Sequence, residues 1–216
     1  KHLSELEALS IFKKMGINIV KSKLVSNQKE AEESAKKIGF PIAMKLLSNK
    51  ILHKTDADGV ELNISSKKEV LFSFTKLSNV FDKLNIKDFD KNYLIQKMET
   101  GIAEIILGFR VDELVGPIVV IGLGGVLSEI YNDKSVRLAP VDLIEAKNMI
   151  KEVKSLVALT GYRGRPKADI NILAKAIVNI SQLANIEKIQ EAEINPILVK
   201  KENEGIVAVD GLIIFK

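Results

Sequence analysis

Short apolar segments of strand length recur along the chain and alternate with amphipathic segments of helical period. FPIAMKLLS at 40–48 is a compact apolar run, and GVELNIS at 59–65 alternates apolar with polar residues, as strands do. Residues 3–15 and 26–39 instead carry apolar residues every three or four positions, and each segment runs up to a glycine suited to ending a helix. Interleaved helices and strands predict an α+β fold.

The rest of the chain follows the same pattern. We predict further helices at 66–84, 142–159 and 168–184, and further strands at 17–25, 93–98, 101–112, 116–130, 135–141, 189–199 and 205–215. The chain has no internal repeat and no low-complexity linker. The elements divide into two α+β lobes, residues 1–97 and residues 98–216, with a hinge near Gln96 to Gly101.

Composition excludes several functional classes. The 32 basic and 28 acidic residues are interspersed, and the net charge of +4 gives little reason to expect binding to nucleic acid. Cysteine is absent, so the chain has no disulfide, thiolate metal site or cysteine nucleophile, which fits a reducing cytoplasmic location. The longest apolar runs, 117–123 and 211–215, are far shorter than the roughly 20 residues that a membrane helix needs.

One charged residue interrupts an otherwise apolar predicted strand. Lys45 lies in the middle of FPIAMKLLS, where an ammonium group is costly unless it meets an anion or extends to solvent. Two interpretations stay open at this point: a phosphate-binding lysine, or a lysine on an edge strand that faces water.

The loop that follows gathers unusual chemistry. HKTDADG at 53–59 contains an imidazole, an ammonium, a hydroxyl and two carboxylates, and it ends in a glycine that permits close backbone approach. A neutral imidazole is a good nucleophile near neutral pH, so His53 is a candidate acceptor for a phosphoryl group. The alternative is a solvated loop histidine.

Oxygen-bearing side chains are concentrated in the last two predicted strands. Glu193 and Asn195 are two residues apart and therefore share one face of a strand, and Asp210 can lie beside them across a hairpin. Carboxylate and amide oxygens suit Mg²⁺, which keeps water and nucleotide phosphates in its remaining positions. The alternative is that each residue only accepts local backbone hydrogen bonds.

Two glycine-containing motifs have less specific interpretations. GLGG at 122–125 lacks the third glycine and the following helix of a dinucleotide-binding motif, so we expect these glycines to permit close packing or approach to a ligand. GYRGRP at 161–166 places Arg163 and Arg165 in one loop, which can bind anions or be a solvated basic turn.

Taken in order, several segments resemble the ATP-grasp (β) subunit of ADP-forming acyl-CoA synthetases, such as acetate–CoA ligase (ADP-forming), over nearly the whole chain. They are more distantly similar to the β subunit of succinyl-CoA synthetase. The segments are FPIAMKLLS, ILHKTDADGVELN, YLIQKM, AEIILGFRVD, GPIVVIGLGGVLSEIYND, VRLAPV, GYRGRP and EAEINPILV with AVDG. The resemblance implies an ATP-grasp fold in which ATP or ADP binds between two α+β lobes.

The resemblance also implies roles for individual residues. It assigns phosphate binding to Lys45 and adenine contacts to the backbone of the hinge, and it places two glutamates near the ribose and the rest of the nucleotide. The hinge residues are Gln96, Lys97 and Met98, and the two glutamates are Glu99 and Glu104. It assigns Mg²⁺ coordination to Asn195 and Asp210, with Glu193 in the accompanying EINP motif.

The implied reaction uses histidine as a relay. Acyl-CoA and phosphate give an acyl phosphate, and the phosphoryl group then passes to a histidine of an α-type, CoA-binding partner subunit, to His53, and finally to ADP. The resemblance therefore implies an α2β2 hetero-oligomer with that partner. This chain departs from the family pattern at Thr55 and Asp58, which replace the usual serine and first glycine after the His-Lys pair, and so puts the conformation of the phosphate loop in question.

Two other functions compete with this hypothesis. The chain can be the ATP-grasp segment of a longer fused enzyme, such as a synthetase-like protein acyltransferase, in which His53 need not accept phosphate. It can also be a non-catalytic subunit that senses nucleotide. Loss of Lys45, Asn195 or Asp210 would be the simplest sign of such a silent copy, and all three are present.

Overall fold

A computed structural model describes residues 1–47, 58–86, 91–124 and 133–216, which form two compact units. We call Val20–Glu99 the internal unit, and Lys1–Ile19 with Thr100–Lys216 the flanking unit. The sequence placed all of residues 1–97 in one lobe, whereas the structure groups the first 19 residues with the C-terminal part of the chain. The reason is long-range pairing: Leu3 donates a backbone hydrogen bond to Ile213, and Ile19 bridges to Ala208.

The internal unit contains a four-stranded antiparallel sheet and two helices. Its strands are β1 (Ser22–Val25), β2 (Ile42–Leu47), β3 (Val60–Ile64) and β4 (Asn92–Lys97), in the spatial order β1-β4-β2-β3. The first helix of the chain, α1 (Glu5–Lys14), belongs to the flanking unit. Helices α2 (Gln28–Ile38) and α3 (Lys67–Lys83) of the internal unit contact its sheet and each other. Apolar side chains from both helices and from the strands form one buried cluster.

Local capping explains where these helices begin. The side chains of Ser4, Asn27 and Ser66 accept hydrogen bonds from backbone amides three residues later, which satisfies N–H groups that a helix start leaves unpaired. Gly39 follows α2 with a φ of +87°, which a side chain disfavours. The predicted helices at 3–15, 26–39 and 66–84 are thus confirmed.

The flanking unit is built on a six-stranded antiparallel sheet. Its strands are β5 (Ala103–Asp112), β6 (Gly116–Leu123), β7 (Lys134–Leu138), β8 (Ile189–Val199), β9 (Ile206–Ala208) and β10 (Gly211–Phe215). The order is β10-β8-β5-β6-β7, and β9 pairs with the end of β8. Helices α4 (Leu143–Glu152) and α5 (Ile170–Ser181) pack together, and α5 contacts β5 and β6.

Alternation along the strands gives this sheet two different faces. Ile105, Leu107 and Phe109 of β5 are buried, while the alternate positions are half-buried at Ile106 and Gly108 and exposed at Glu104 and Arg110. Because successive side chains of a strand point to opposite faces, one face belongs to the core and the other stays partly open. The open face carries the polar residues described below.

Two predicted elements are shorter than expected. The helix predicted at 142–159 ends at Glu152, because Val153 is extended and the Asp133 carboxylate accepts hydrogen bonds from the amides of Lys154 and Ser155, which start a separate 3₁₀ segment. The strand predicted at 205–215 is divided into β9 and β10, with Val209 and Asp210 between them. Among the helices in the described ranges, none combines the length and the apolar character needed to cross a membrane.

Candidate functional site

Three oxygen-bearing side chains of the flanking unit converge at the junction of β8 and β10. Glu193 and Asn195 occupy alternate positions of β8, and the pairing of β10 with β8 sets Leu212 opposite Glu193 and Gly211 opposite Ile194. Beside this pair, the Asn195 amide donates a hydrogen bond of 3.3 Å to the carbonyl oxygen of Asp210, the residue before β10. The predicted grouping of Glu193, Asn195 and Asp210 is therefore present in the fold.

The electrostatics of Glu193 reflect this grouping. Burial raises the pKa of its carboxyl group, and the neighbouring carboxylates of Glu191 and Asp210 raise it further. A hydrogen bond with the Asn195 side chain acts in the opposite direction. A half-buried carboxyl group that is surrounded by negative charge favours the approach of a cation, because a cation stabilises the ionised form that burial and the neighbouring charges disfavour.

Asp210 is held in place by its own turn and by the first helix. Its Oδ1 accepts a hydrogen bond of 2.7 Å from the Gly211 amide. A Cβ atom on Gly211 would lie only 2.6 Å from Cε2 of Phe12, a residue of α1 that is fully buried. Glycine at 211 thus lets α1 pack directly on the strand that follows Asp210.

The donor set fits a magnesium ion better than a softer metal. It offers carboxylate and amide oxygens and no sulfur or imidazole, which is the chemistry of Mg²⁺ sites completed by water and phosphate oxygens. In the part of the chain that the structure describes, no group of three or more His, Cys, Asp or Glu side chains could hold a metal by itself. The fit consequently depends on the amide of Asn195 and on ligands from a nucleotide.

A groove of about 390 Å³ runs along the open face of the flanking-unit sheet and reaches Glu193. Its floor includes Ile106, Gly108, Val120 and Gly122, so two glycines make the centre of the sheet shallow. The volume lies within the range of about 300–1,000 Å³ typical of small-molecule sites. Sequence reasoning missed this groove, because no residue of its floor carries a distinctive functional group.

The groove also contains charged residues that the sequence did not single out. Strand pairing sets Arg110 opposite Glu191, and both line the groove. The alternation of Glu191 with Glu193 on β8 was the available signal, since positions two apart share a face. Arg110 could not be linked to them without knowing that β5 pairs with β8.

The glycines of GLGG have a packing role in the described part of the motif. A Cβ atom on Gly124 would lie 2.7 Å from the backbone carbon of Ile105, and one on Gly122 would lie 3.1 Å from the Asp133 carbonyl oxygen. The expected close packing is confirmed for both residues. The predicted continuation of the strand through 125–130 falls in 125–132, outside the described residues.

Lys45 occupies an interior position of the internal unit. It lies on β2 between Val60 of β3 and Leu94 of β4, and only 5% of its surface is exposed. The interpretation of Lys45 as a solvent-facing lysine of an edge strand is therefore wrong. Its role in binding phosphate stays a prediction.

The segment predicted to contact adenine follows directly on β4. Gln96 is fully buried, and the Met98 amide donates to the Pro41 carbonyl oxygen over 3.1 Å. The Lys97 ammonium donates 2.8 Å hydrogen bonds to the carbonyl oxygens of Gly39 and Phe40. The Lys97 side chain thus fixes the turn before β2, and a nucleotide contact from this residue would come from its backbone.

The remaining predicted residues have a less specific setting. Glu99 ends the internal unit and is half-buried, and Glu104 is exposed on β5 with its carbonyl oxygen accepting from the Gly124 amide over 2.8 Å. His53 lies in 48–57, outside the described residues.

Asp58 is the first described residue after that gap and has a left-handed φ of +53°. This conformation explains why a glycine would suit the position, since aspartate tolerates it at some cost.

The whole chain matches a known family. The model of the ATP-grasp domain matches residues 1–215. Acetate–CoA ligase [ADP-forming] II subunit beta of Pyrococcus furiosus is 36% identical over 214 residues, which cover 98% of this chain and 91% of that protein. The 4-hydroxybutyrate–CoA ligase [ADP-forming] of Nitrosopumilus maritimus is 37% identical over 205 residues, which cover 94% of this chain but only 29% of that longer protein.

A solved structure is similar along the whole chain. It is the acetyl-coenzyme A synthetase 1 of Ca. Korarchaeum cryptofilum, described as dinucleotide forming, in complex with coenzyme A and Mg-AMPPCP. In it, a phosphohistidine segment points towards the nucleotide-binding site. The TM-score is 0.84 with 32% sequence identity, and the match covers 100% of this chain and 93% of that one. These similarities extend over both units.

Proposed function

Since this chain belongs to the ATP-grasp domain family, in its branch of ADP-forming carboxylate–CoA ligases, we propose that it is the nucleotide-binding, β-type subunit of such an enzyme. The proposed reaction is acyl-CoA + ADP + phosphate ⇌ carboxylic acid + CoA + ATP. The observation that carries the proposal is the convergence of Glu193, Asn195 and Asp210 beside a groove of ligand size.

The polar junction of β8 and β10 would hold Mg²⁺ together with the nucleotide phosphates. Asn195 and Asp210 are the proposed ligands, and Glu193 would orient Asn195 through their hydrogen bond. When bound, the ion would offset negative charge on the phosphoryl group during transfer. The Glu193 carboxyl group, whose pKa is raised by burial, would become ionised more easily next to the cation.

The internal unit would supply the contacts to phosphate and to the base. Lys45 is a buried cation, and in a site of low dielectric an ammonium group interacts strongly with a phosphate oxygen. The backbone of Lys97 and Met98 would meet adenine, with the turn at Gly39–Pro41 holding it in position. Glu99 and Glu104 are proposed to lie near the ribose and the rest of the nucleotide.

His53 is proposed as the phosphoryl acceptor on this chain. In the forward direction the phosphoryl group leaves an imidazole nitrogen of His53 as an oxygen of the terminal phosphate of ADP bonds to phosphorus. The ring keeps the proton on its other nitrogen and leaves as neutral imidazole. The phosphohistidine segment of the similar Korarchaeum enzyme supports histidine as a carrier in this reaction class.

The chain would need a partner to complete the reaction. It spans 91% of the Pyrococcus β subunit but 29% of the Nitrosopumilus ligase, so the longer relative carries most of its chain in further regions. We propose that a CoA-binding, α-type chain supplies these functions here. The α2β2 stoichiometry and the cytoplasmic location belong to the same proposal.

The direct test is to incubate the chain with γ-labelled ATP and Mg²⁺ and to measure acid-labile, base-stable label on the protein. We expect label on the wild type and none on His53→Ala. Asp210→Asn should label at least about tenfold more slowly, since losing even outer partners of a metal site costs about 10- to 100-fold. Asp112→Asn is the matched control, because Asp112 lies in the β5–β6 turn, where it accepts hydrogen bonds from the Leu114 and Val115 amides and pairs with Arg110.

Each outcome has a separate meaning. Label that persists in folded His53→Ala would exclude the proposed histidine relay. Equal labelling of Asp210→Asn and Asp112→Asn would exclude the magnesium site at β8 and β10. Wild-type protein that binds Mg-ADP but never becomes labelled would favour a nucleotide-sensing subunit.

A further inference from the structure

A second, smaller groove lies on the helical side of the flanking unit. It has a volume of about 220 Å³ and lies between α4, the 3₁₀ segment that follows it, and the start of α5. Its apolar lining includes Ile150, Leu156 and Val157, while Lys147 and Lys151 stand one helical turn apart on α4. We call these lining residues, together with the loop 161–167, the basic groove.

The loop 161–167 connects two lining residues of the groove, Thr160 and Ile170, through the motif GYRGRPK. Arg163, Arg165 and Lys167 are exposed. Lys147 and Lys151 line the groove, and the loop that follows Thr160 adds three further cations to this part of the chain. Within the described ranges none of these five side chains takes part in an ion pair.

The acidic residues closest in sequence on α4 are already engaged. Glu145 and Glu152 both pair with Arg137 of β7, and Glu152 also accepts from Ser135 over 2.7 Å. On α5, the Asp169 carboxylate caps Ile172 and accepts from the Gly205 amide. The positive charge of the basic groove is consequently not offset by these carboxylates.

The loop adopts a conformation that its sequence does not favour. Arg163 has a left-handed backbone with φ +50° and ψ +41°, between Gly161 and Gly164, which also have positive φ. Its guanidinium lies 5.4 Å from the centre of the Tyr162 ring, which leaves the donor groups at the surface. Strained non-glycine residues in anchored loops are concentrated at functional sites.

The base of the loop is well anchored. Ala168 donates to the Leu159 carbonyl oxygen over 2.8 Å, and Glu202 donates to the Lys167 carbonyl oxygen over 2.9 Å. Ala168 and Asp169 are buried. The exposed arginines are therefore displayed from a fixed support.

The size of the groove limits what can occupy it. A volume of about 220 Å³ is below the roughly 300–1,000 Å³ of small-molecule sites, so a nucleotide or coenzyme A is too large. It suits one apolar side chain, of the kind that anchors a protein interface. Carboxylates on either side of such an anchor would meet the surrounding cations.

We propose that the basic groove docks an acidic polypeptide segment that inserts one aliphatic side chain between α4 and α5. Resting on the proposed function, the segment belongs to the CoA-binding partner chain. Val157 of the lining is itself exposed, and exposed Tyr162 in the following loop offers a further apolar contact. Arg163 and Arg165 bind the flanking carboxylates, with planar donor groups suited to bidentate pairing.

The probe is a synthetic peptide, acetyl-Glu-Glu-Leu-Glu-Glu-amide, titrated into the ¹⁵N-labelled full chain at low salt. We expect chemical-shift changes confined to residues 147–171 and a dissociation constant of about 1 mM or tighter. The triple variant Lys151→Glu, Arg163→Glu, Arg165→Glu should weaken binding at least about tenfold, because it sets like charges against the peptide. Replacing the peptide leucine by serine should weaken binding about fivefold or more through loss of apolar burial.

Two further variants separate recognition from general effects. Lys36→Glu with Lys37→Glu alters exposed lysines of α2 in the internal unit and should leave peptide affinity unchanged. Arg163→Gly removes a guanidinium at a backbone conformation that glycine adopts freely, so its expected weaker binding cannot come from misfolding.

Absence of wild-type binding, or equal binding by the triple variant, would overturn the proposal. If the wild type binds the serine peptide as tightly as the leucine peptide, the groove does not recognise an apolar side chain, and docking is overturned. The same holds if tripolyphosphate at the same concentration of charge displaces the leucine peptide, since the site would then be an unspecific anion-binding surface. Mg-ADP binding measured on the same variants should be unchanged. If the wild type does not bind Mg-ADP, the proposed function is refuted, and the peptide-binding result still decides the docking proposal independently.

Discussion

The two units place their candidate nucleotide-binding residues in sheets of different character. Every residue of β2 in the internal unit is buried, including Lys45. On β8 of the flanking unit, by contrast, Glu193 and Asn195 are half-buried and alternate with the buried Ala192 and Ile194. A cation inside a core is costly unless it is paired, whereas carboxylates on an open face remain partly hydrated.

This difference predicts how each site responds to mutation. Neutralising Lys45 removes a buried charge and should cost binding much more than stability. Changes around Asp210 should affect binding and folding together, because α1 packs directly on the adjacent Gly211.

The largest expected effect is on nucleotide affinity in Lys45→Met. Methionine keeps the length and apolar stem of lysine but removes the ammonium group, so Mg-ADP affinity should fall by about 2–3 kcal/mol, the value of a hydrogen bond to a charged group. Isothermal titration calorimetry measures the affinity, and urea unfolding should show no comparable loss of stability. A variant that unfolds more easily but binds normally would show that Lys45 is a structural residue.

The next effect is on stability in Gly211→Ala. The added methyl group would meet the buried ring of Phe12 at 2.6 Å, and overpacking of this kind costs about 1–3 kcal/mol. Gly108→Ala is the matched control, since Gly108, like Gly211, lies on a strand without a positive φ, and a Cβ atom there would come no nearer than 3.8 Å to the Ala192 carbonyl oxygen. If urea unfolding gives both variants the same loss, the contact with α1 does not determine the cost.

A smaller effect concerns the pH dependence of Glu193→Gln. Burial raises the pKa of Glu193 above its ordinary value of 4.5, so the folded chain binds this proton more tightly than the unfolded chain. The resulting destabilisation is absent below pH 4.5 and develops as the pH rises through the folded-state pKa.

Without nucleotide, Glu193→Gln should therefore gain stability relative to the wild type as the pH rises from 4 to 7, as followed by thermal unfolding. Glu191→Gln should show a weaker trend, since Glu191 contributes to the raised pKa of Glu193 only through its charge. Parallel wild-type and Glu193→Gln stability curves would contradict the described surroundings of this carboxyl group.

The smallest effect is expected for Asp58→Gly. Glycine removes the backbone strain of the left-handed conformation at position 58, which stabilises the fold. It also raises the conformational entropy of the unfolded chain, which destabilises the fold, so the net change in stability should be less than about 0.5 kcal/mol. Lys175→Gly in the middle of α5 is the contrasting change, since Lys175 is exposed and glycine inside a helix costs about 1 kcal/mol. Similar losses in both variants would show that Asp58 stabilises its turn.

Much of the candidate site could be predicted from the chain itself. The alternation of Glu193 with Asn195 and the turn residues around Asp210 identified the oxygen cluster, because strand periodicity decides which side chains share a face. The unusual position of Lys45 was also visible. The sequence could not decide whether Lys45 faces water, since that depends on β3 and β4 lying on either side of β2.

Other features depended on distant contacts. The contact predicted for Lys97 is one between its backbone and adenine, and the sequence did not indicate the separate role of its side chain, whose ammonium binds the carbonyl oxygens of Gly39 and Phe40, more than fifty residues earlier. The division of the last predicted strand at Asp210 also follows from pairing with β8 rather than from local composition.

By itself the sequence determined the element types, the α+β class and the helix starts, because capping and periodicity act within a few residues. Only the tertiary structure decided that α1 belongs to the flanking unit, that the helix beginning at Leu143 ends at Glu152, and that β2 is an interior strand. The physical reason is that burial and strand order are set by residues far apart in the chain, whose hydrogen bonds and packing outweigh local preference.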